Sequence, residues 1–278
     1  MTPGEFMRVL IVQFAPPADG RTLPAFDHQL GVAAAELRGL DFELELLPLA
    51  CYRPEVLHET INRHRPEHVV VDFGPPFLTA ARHSIVDIAE KEFLPVTVVG
   101  THATSQPKQT ISIPGVAATI VGEYDAALVA WLLAQRDAKV TAAAQEGPPP
   151  RGVWLKSEEG LVRSGPAPLR GDLDALPWVD RELLACDAWV EASGEVAFQA
   201  TRGCGWWCAN CLNDWYLDHY PRREAYCRRR SVEELVAEVE VVLAGRETAR
   251  RVRFVDHAFP ADAEWLEEFA EAYPARCR

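Results

Sequence analysis

The first half of the chain alternates short apolar runs with segments of helical spacing, and this alternation constrains the fold more than any other feature. The run at 8–14 ends at consecutive prolines, which is typical of a buried strand. The next segment has helical spacing, because Leu30, Ala34 and Leu37 would recur on one face of a helix. Strands and helices that alternate at this pace predict a parallel sheet with helices on both faces.

Five strands and four helices are predicted in this half. The strands are 8–14, 42–47, 68–73, 96–100 and 118–121, and the helices are 23–38, 54–64, 80–92 and 124–135. In such sheets ligands bind beyond the carboxyl ends of the strands. The candidate binding loops are therefore 15–20, 73–76, 100–104 and 122–125.

Charge and hydropathy exclude several classes of protein. Among 278 residues, 41 are acidic and 28 are basic, which argues against a general nucleic-acid binder. A local run of arginines at 222–230 is typical of a solvated loop. The longest apolar run, 126–134, is far shorter than the ~20 residues that span a bilayer. Residues 1–5 carry no Lys or Arg, so no secretory signal is recognised. These features predict a cytoplasmic protein without nucleic-acid or membrane partners.

The seven cysteines are unevenly distributed. An odd number without a signal peptide is a poor disulfide framework and indicates a reducing compartment. A predicted strand at 196–200 runs directly into Cys204, Cys208 and Cys211, spaced C-x3-C-x2-C. Three thiolates from one loop can hold three irons of a [4Fe–4S] cluster and leave the fourth iron open.

Two other interpretations of this loop remain open from spacing alone. A structural zinc site needs four ligands, and Cys227 or His219 could supply the fourth. Alternatively, the three cysteines are unrelated buried thiols, although such close spacing makes this the weaker interpretation.

The sequence after the loop favours iron and sulfur. Ser231 and Glu234 form a predicted capping box before an apolar helical pattern. A strand at 251–255 and a helix at 261–272 follow, with Trp265, Leu266 and Phe269 expected on one helical face. The cysteines thus follow the first strand of a new βα series, at the end where barrels build active sites.

Taken together, these stretches resemble one known family. The sequence resembles the cobalamin-dependent radical S-adenosylmethionine (SAM) proteins that carry an N-terminal B12-binding domain. The most specific similarity is the C-x3-C-x2-C loop after a strand. The other similar stretches are less specific, but they occur in the same order as in the family. The likeness is carried by 100–104, 121–124, 172–177, 201–211, 229–234 and 254–259.

The resemblance implies cofactors and the residues that bind them. Cys204, Cys208 and Cys211 would ligate the [4Fe–4S] cluster, and SAM would chelate its open iron. Asp256 would either contact SAM or cap the turn that follows it. Cobalamin would lie on the loops of the first domain, and the residues expected there are Phe73, Gly74, Thr101, His102, Ala103, Gly122 and Glu123.

The expected fold is α/β: a Rossmann-like, doubly wound parallel sheet of the B12-binding type, then the first β/α units of a partial TIM-type radical SAM barrel. The expected segments are a cobalamin-binding domain at 1–136, a linker with a hairpin (153–156 and 161–163) at 137–195, and the radical SAM part at 196–278. The implied activity is radical methyl transfer or ring formation on a small molecule, with flavodoxin or ferredoxin as electron donor. The alternative is a cobalamin carrier or sensor whose cysteine loop is vestigial or structural.

The sequence departs from the family pattern in three ways. Asn210 stands where the family often has an aromatic residue near the SAM adenine. No Asp-x-His-x-x-Gly follows the first strand, which leaves His102 as the substitute candidate for an axial ligand. Residues 196–278 hold two or three βα units at about 30 residues each, whereas the family's partial barrel has about six. We therefore expect a truncated or split member of the family, which either is completed by a second polypeptide or lacks full catalysis.

Overall fold

The computed structural model describes residues 6–17, 22–141, 148–157, 160–220 and 222–277. The chain divides into two compact units, residues 1–168 and 169–278. Residues 18–20 of one candidate loop and the tip of the predicted hairpin at 158–159 lie outside the described residues. In the part that is described, no helix is both long and apolar enough to cross a bilayer.

The first unit is an α/β sheet. Its strands are β1 (Met7–Phe14), β2 (Phe42–Leu49), β3 (His68–Asp72), β4 (Val96–Val99), β5 (Val116–Ile120), β6 (Val153–Ser157) and β7 (Gly160–Arg163). Its helices are α1 (His28–Arg38), α2 (Pro54–His64), α3 (Leu78–Asp87), α4 (Thr101–Ser105), α5 (Pro107–Ser112) and α6 (Tyr124–Thr141). A 3-10 turn at Pro75–Phe77 precedes α3, and a π-helical turn at Ile88–Glu92 extends it.

The order of the described strands is β2-β1-β3-β4-β5-β6-β7, and β1 to β5 run parallel. Strands β2 and β3 lie on opposite sides of β1, so the topological switch point of the sheet lies between β1 and β3. Strands β3 and β4 are buried along their whole length. This explains their continuous valine-rich sequences, because helices cover both faces of a parallel sheet.

Every predicted strand and helix of the first half overlaps an observed one, but some bounds differ. Helix α1 begins at His28 rather than at residue 23, because Asp27 caps it: the Asp27 carboxylate accepts from the Leu30 N–H at 3.0 Å. The short helices α4 and α5 were not predicted, since each spans too few residues to show a helical period.

The hairpin formed by β6 and β7 belongs to the first sheet. Strand β6 pairs antiparallel with β5, and β7 pairs antiparallel with β6. The structural boundary at 168/169 therefore differs from the predicted division into 1–136, 137–195 and 196–278. The hairpin is half-exposed and carries polar residues, so its apolar pattern is weak in the sequence.

The second unit is a βα series with a short antiparallel pair. Its helices are α7 (Cys186–Ser193), α8 (Asn213–His219), α9 (Arg223–Tyr226), α10 (Val232–Ala244) and α11 (Ala263–Arg276). Its strands are β8 (Glu195–Phe198), β9 (Thr201–Arg202), β10 (Arg228–Arg229) and β11 (Arg251–Phe254). Strand β8 pairs parallel with β11, and β9 pairs antiparallel with β10.

Helices α10 and α11 pack on the parallel strands. Val239 contributes to one apolar cluster and Trp265 to another. The ring of Trp265 stacks on Phe269 at 5.1 Å between centroids. Leu266 is 37% exposed, so the expectation that it shares their buried face is wrong. It lies one residue after Trp265, and a helix turns by about 100° per residue.

Helix α10 begins with half of the predicted capping box. The Ser231 hydroxyl accepts from the Glu234 N–H at 3.2 Å. The reciprocal contact is different: the Ser231 N–H donates to both carboxylate oxygens of Asp174 at 3.0 Å. A residue from the segment 172–177 thus replaces the glutamate that usually closes the box.

Glu238 lies buried on α10 between two guanidinium groups. It accepts from Arg181 at 2.7 Å and from Arg230 at 2.5 Å. Arg181 also donates to the Ala197 carbonyl at 2.5 Å, so the network joins α10 to strand β8.

We expect Glu238→Ala to lower the free energy of unfolding by about 3–5 kcal/mol, because it leaves buried guanidinium groups without their carboxylate. Glu240→Ala is the matched control: Glu240 lies on the same helix as Glu238 but forms a partly exposed ion pair with Arg276 of α11. Water screens this pair, so the expected loss is far smaller. Urea unfolding of the full chain, followed by tryptophan fluorescence, compares the two. Equal losses would contradict this account of the network.

Candidate functional site

The predicted cobalamin-binding residues come together at the carboxyl edge of the first sheet. They lie in the segments after β3, β4 and β5: Phe73 and Gly74, then Thr101, His102 and Ala103, then Gly122 and Glu123. These segments touch one another. The His102 N–H donates to the Phe73 carbonyl at 3.3 Å, and the Gly122 N–H donates to the Thr104 hydroxyl at 3.2 Å. Their role in binding cobalamin stays a prediction.

His102 is a buried imidazole at this edge. Neither ring nitrogen has a hydrogen bond of good geometry to a residue that the structure describes, although the Gln109 side chain lies nearby. The ring stacks on Phe73 with centroids 5.0 Å apart. Burial lowers the pKa of His102, and the nearby Gln109 side chain offsets this only in part. The imidazole is therefore neutral near pH 7, with a lone pair for a metal or a hydrogen-bond donor.

Sequence reasoning missed a carboxyl group at the same edge. Asp72 ends β3, and its Oδ2 accepts from the Gln13 amide at 3.2 Å. Burial and, to a smaller extent, the Asp27 carboxylate raise the pKa of Asp72 to about 7, although the Gln13 bond acts in the opposite direction. A Cβ atom on Gly100, where φ is +94°, would lie 2.2 Å from Asp72 Oδ1. Only glycine leaves room for this carboxyl group.

The Tyr124 hydroxyl lies buried in the same region. Burial raises the pKa of Tyr124 well above its usual value, and the carboxylates of Asp27 and Asp72 add to this effect. Within the described residues its hydroxyl has no hydrogen bond of good geometry. The edge of the sheet thus holds several buried polar atoms that a ligand could satisfy.

In the second unit, the cysteine loop begins where two backbone segments cross. Gly203 follows β9 with a φ of +85°. A Cβ atom at this position would lie 2.3 Å from the Tyr226 carbonyl oxygen. Glycine is required for the chain to pass this close to the segment before β10.

The three cysteines of the loop differ in exposure. Cys204 is half-buried, whereas Cys208 and Cys211 are exposed. The Cys211 N–H donates to the Cys208 carbonyl at 3.0 Å, which closes a tight turn between them. No three His, Cys, Asp or Glu side chains of the described residues are grouped to hold a metal ion. A [4Fe–4S] cluster binds each thiolate at a separate iron, and three thiols on one loop suit it as donors.

Cys227 and Cys204 line the same pocket, which has a volume of about 320 Å³ and also includes the buried arginines Arg202 and Arg228. His219 lies outside this pocket: its Nδ1 is 2.8 Å from the Trp215 carbonyl oxygen, and its ring stacks on the Trp215 ring. Of the two predicted fourth ligands for zinc, Cys227 is therefore the one that shares a pocket with a loop cysteine.

Asn213 is a second residue that sequence reasoning missed. Its Nδ2 donates to the carbonyls of Cys204 and Trp206, each at 2.7 Å. Its Oδ1 accepts from the Tyr226 hydroxyl at 2.9 Å. The only sequence signal was an asparagine two positions after the third cysteine.

Asp256 follows β11 and ties it to the end of β8. Its Oδ1 accepts from the N–H groups of Ala200 at 3.0 Å and Thr201 at 2.5 Å, and from the Thr201 hydroxyl at 2.6 Å. Its Oδ2 is buried without a hydrogen bond to a described residue. Burial raises the pKa of Asp256, and the bonds from Thr201 and Ala200 oppose this. One oxygen has a structural role that neither predicted alternative included, and the other can receive a ligand.

Comparison with known proteins identifies the fold. No family model and no curated protein matches the chain. TsrM from Kitasatospora setae is a radical S-adenosylmethionine methyltransferase, solved with its tryptophan substrate and the SAM analogue aza-SAM. It aligns with a TM-score of 0.69 and 19% identity, over 95% of this chain and 50% of that chain. This chain has the fold of such enzymes.

A second solved enzyme supports the same conclusion. OxsB, a cobalamin-dependent SAM radical enzyme solved with aqua-cobalamin and SAM, aligns with a TM-score of 0.70 and 16% identity, over 96% of this chain. The predicted fold class is therefore confirmed: a Rossmann-like sheet followed by the first β/α units of a partial barrel. The chain spans 50% of the length of TsrM and 37% of that of OxsB.

We expect Asp72→Asn to raise the free energy of unfolding near neutral pH. The pKa of Asp72 is about 7 in the folded protein and 3.8 when unperturbed. The folded state thus keeps a proton that the unfolded state releases between these values. The stability from this group is complete below pH 3.8 and is lost as pH rises through about 7. The advantage of the variant grows over that window to ~1–4 kcal/mol.

Urea unfolding at a series of pH values measures this difference. Glu59→Gln, on the exposed side of α2, is the control and should follow the wild-type curve at each pH. A gain from Asp72→Asn that does not change with pH would contradict the assignment of the proton to Asp72.

Proposed function

We propose that this chain acts as a cobalamin-dependent radical SAM protein, in radical methyl transfer or ring formation on a small molecule. One observation carries the proposal: three cysteines spaced C-x3-C-x2-C lie on the loop beyond β8, the first strand of a βα series. Barrel enzymes hold their reactive groups at this end of the strands. The described activities of TsrM and OxsB, which share the fold, support the same conclusion.

In this proposal the thiolates of Cys204, Cys208 and Cys211 hold three irons, and the amino and carboxylate groups of SAM bind the fourth. When bound, the cluster supplies the electron for reductive cleavage of SAM, and cobalamin supplies the methyl carrier. The chain positions these groups. The half-buried Cys204 anchors the loop beside Gly203, and the exposed thiols of Cys208 and Cys211 are accessible to iron.

Asp256 is the proposed polar contact for SAM. Its Oδ1 is occupied by the end of β8, which fixes the carboxyl group, and its Oδ2 has no hydrogen bond to a described residue. A buried acceptor without a partner is costly, so a donor group of SAM that reached this oxygen would be bound favourably.

His102 is the proposed focus of the cobalamin site in the first unit. Neither ring nitrogen of its neutral imidazole has a hydrogen bond of good geometry to a described residue, and the ring lies among the other predicted contact residues. A neutral imidazole can coordinate cobalt or accept a hydrogen bond from the cofactor. Phe73 and Gly122 then form neighbouring walls of the site.

Anaerobic reconstitution with iron and sulfide tests the cluster. We expect ~4 irons per chain and release of 5′-deoxyadenosine after addition of SAM and a reductant. Cys204→Ala, Cys208→Ala and Cys211→Ala should each lower the iron content and abolish SAM cleavage, because each removes one thiolate ligand. Cys51→Ala, an exposed cysteine in the first unit, is the matched control and should retain both.

Metal analysis of the same samples gives two results that would contradict the proposal. A colourless protein with one zinc per chain would exclude the cluster. Full iron content in all three cysteine variants would exclude these residues as its ligands.

His102→Phe tests the cobalamin site while retaining the stack on Phe73. We expect aquacobalamin to bind about 10–100-fold more weakly, as for the loss of other groups that hold a metal centre. His83→Phe, on the exposed side of α3, is the control. Equilibrium titration by absorption spectroscopy measures both, and unchanged affinity in His102→Phe would remove this residue from the site.

A second candidate is a cobalamin carrier or sensor whose cysteine loop has a structural role only. The position of Cys227 in the same pocket as Cys204 favours it, because a fourth thiolate would close the site around zinc or a fully ligated cluster. Cobalamin binding together with a metal site that does not cleave SAM would support this candidate.

One partner also belongs to the proposal. The reduction of SAM requires a low-potential electron donor such as flavodoxin or ferredoxin.

A further inference from the structure

The cysteine loop has no regular secondary structure of its own. Between β9 and α8, residues 203–212 contain neither helix nor strand. A loop that must present three thiols to one cluster would lose much conformational entropy on binding, unless other contacts already order it.

Asn213 supplies such contacts from the first position of α8. Both hydrogens of its amide are used: one bond goes to the Cys204 carbonyl and the other to the Trp206 carbonyl, each at 2.7 Å. The side chain is buried, so these bonds are shielded from water. The main chain is therefore held at the first cysteine and in the middle of the spacer that leads to Cys208.

Tyr226 fixes the orientation of that amide. Its hydroxyl donates to Asn213 Oδ1 at 2.9 Å, and only 2% of its surface is exposed. Because the oxygen of the amide accepts this bond, its nitrogen must face the two carbonyls. The backbone of Tyr226 also passes beside Gly203, where a Cβ atom would lie 2.3 Å from its carbonyl oxygen. Tyr226 thus contacts both the start of the loop and the side chain that organises it.

We propose that Asn213 is a positioning residue for the cluster: held by Tyr226, it sets the path of the cysteine loop so that the loop is ordered before iron binds. It acts through the main chain and does not ligate iron. This inference rests on the proposed [4Fe–4S] site and adds a determinant outside the three cysteines.

The chemistry of the contacts requires an amide. Aspartate has the same shape and could still accept from Tyr226, but it has no hydrogen to donate to the two carbonyls. Its negative charge would also face those carbonyl oxygens and lie close to the cluster thiolates. Asn213→Asp therefore removes the donor function with the smallest possible change in volume.

The experiment compares anaerobically reconstituted full-length proteins. Each is challenged with an iron chelator, and the loss of the visible absorption of the cluster is followed over time. The electron paramagnetic resonance spectrum of the reduced cluster is recorded on the fraction that stays loaded. We expect Asn213→Asp to weaken cluster retention about 10–100-fold, the usual effect of losing a group that orients metal ligands, and to shift the spectrum. Asn62→Asp, an exposed asparagine on α2, makes the same change of charge and should match wild type.

Tyr226→Phe keeps the ring and removes the hydroxyl bond to Asn213. We expect a smaller loss of retention in the same direction, since the amide keeps its donors and loses only its fixed orientation. If Asn213 only stabilised the fold, its variant would give less loaded protein, but the chelator half-life and the spectrum of the loaded fraction would equal those of wild type.

That last result would overturn the inference, as would wild-type retention in both variants. Failure of the wild-type protein to assemble any cluster would instead contradict the proposed function. The two failures are therefore distinguishable in one series of samples.

Discussion

Parallel strand pairing determines where reactive groups can lie in both units. In the first unit, β1 pairs in parallel with β2 and with β3, so the topological switch point, where sheets of this kind bind ligands, lies between β1 and β3. In the second unit, the parallel pairing of β8 with β11 brings Thr201 and Asp256 to the same end. Residues distant in sequence meet there because every parallel strand ends at the same edge.

Two buried histidines of the first unit differ in how their ring nitrogens are paired. His68 begins β3 at the opposite edge: its Nε2 is paired with the Thr97 hydroxyl at 2.8 Å, and its Nδ1 has no hydrogen bond to a described residue. Burial lowers the pKa of His68 to about 4, which keeps it neutral. His102 is also buried, and neither of its nitrogens has a hydrogen bond of good geometry to a described residue. A ligand that formed hydrogen bonds with such atoms would offset the free-energy cost of burying them unpaired.

Repetitive patterns in the sequence predicted the architecture well. The buried valines of β3 and the proline at the start of α2 placed those elements correctly, because hydrophobic burial and helix entry depend on local sequence. Single long-range contacts could not be predicted in this way. Asp72 was visible only as the last residue of an apolar strand. Its pKa is raised chiefly by burial and further by Asp27, which lies 45 positions earlier.

The cysteine loop illustrates the same limit for the candidate site. Its spacing was evident in the sequence, but the contacts that hold the loop and the chain on either side of it are bonds from single side chains to main-chain groups. Asn213 satisfies the carbonyl of Cys204, Asp256 satisfies the N–H of Thr201, and Asp174 satisfies the N–H of Ser231. Each contact depends on a single polar residue, and a single residue gives no repeating pattern from which the contact could be predicted. Of these three contacts, the one from Asn213 reaches the cysteine loop itself, and the other two hold the backbone at Thr201 and Ser231, which lie outside the loop.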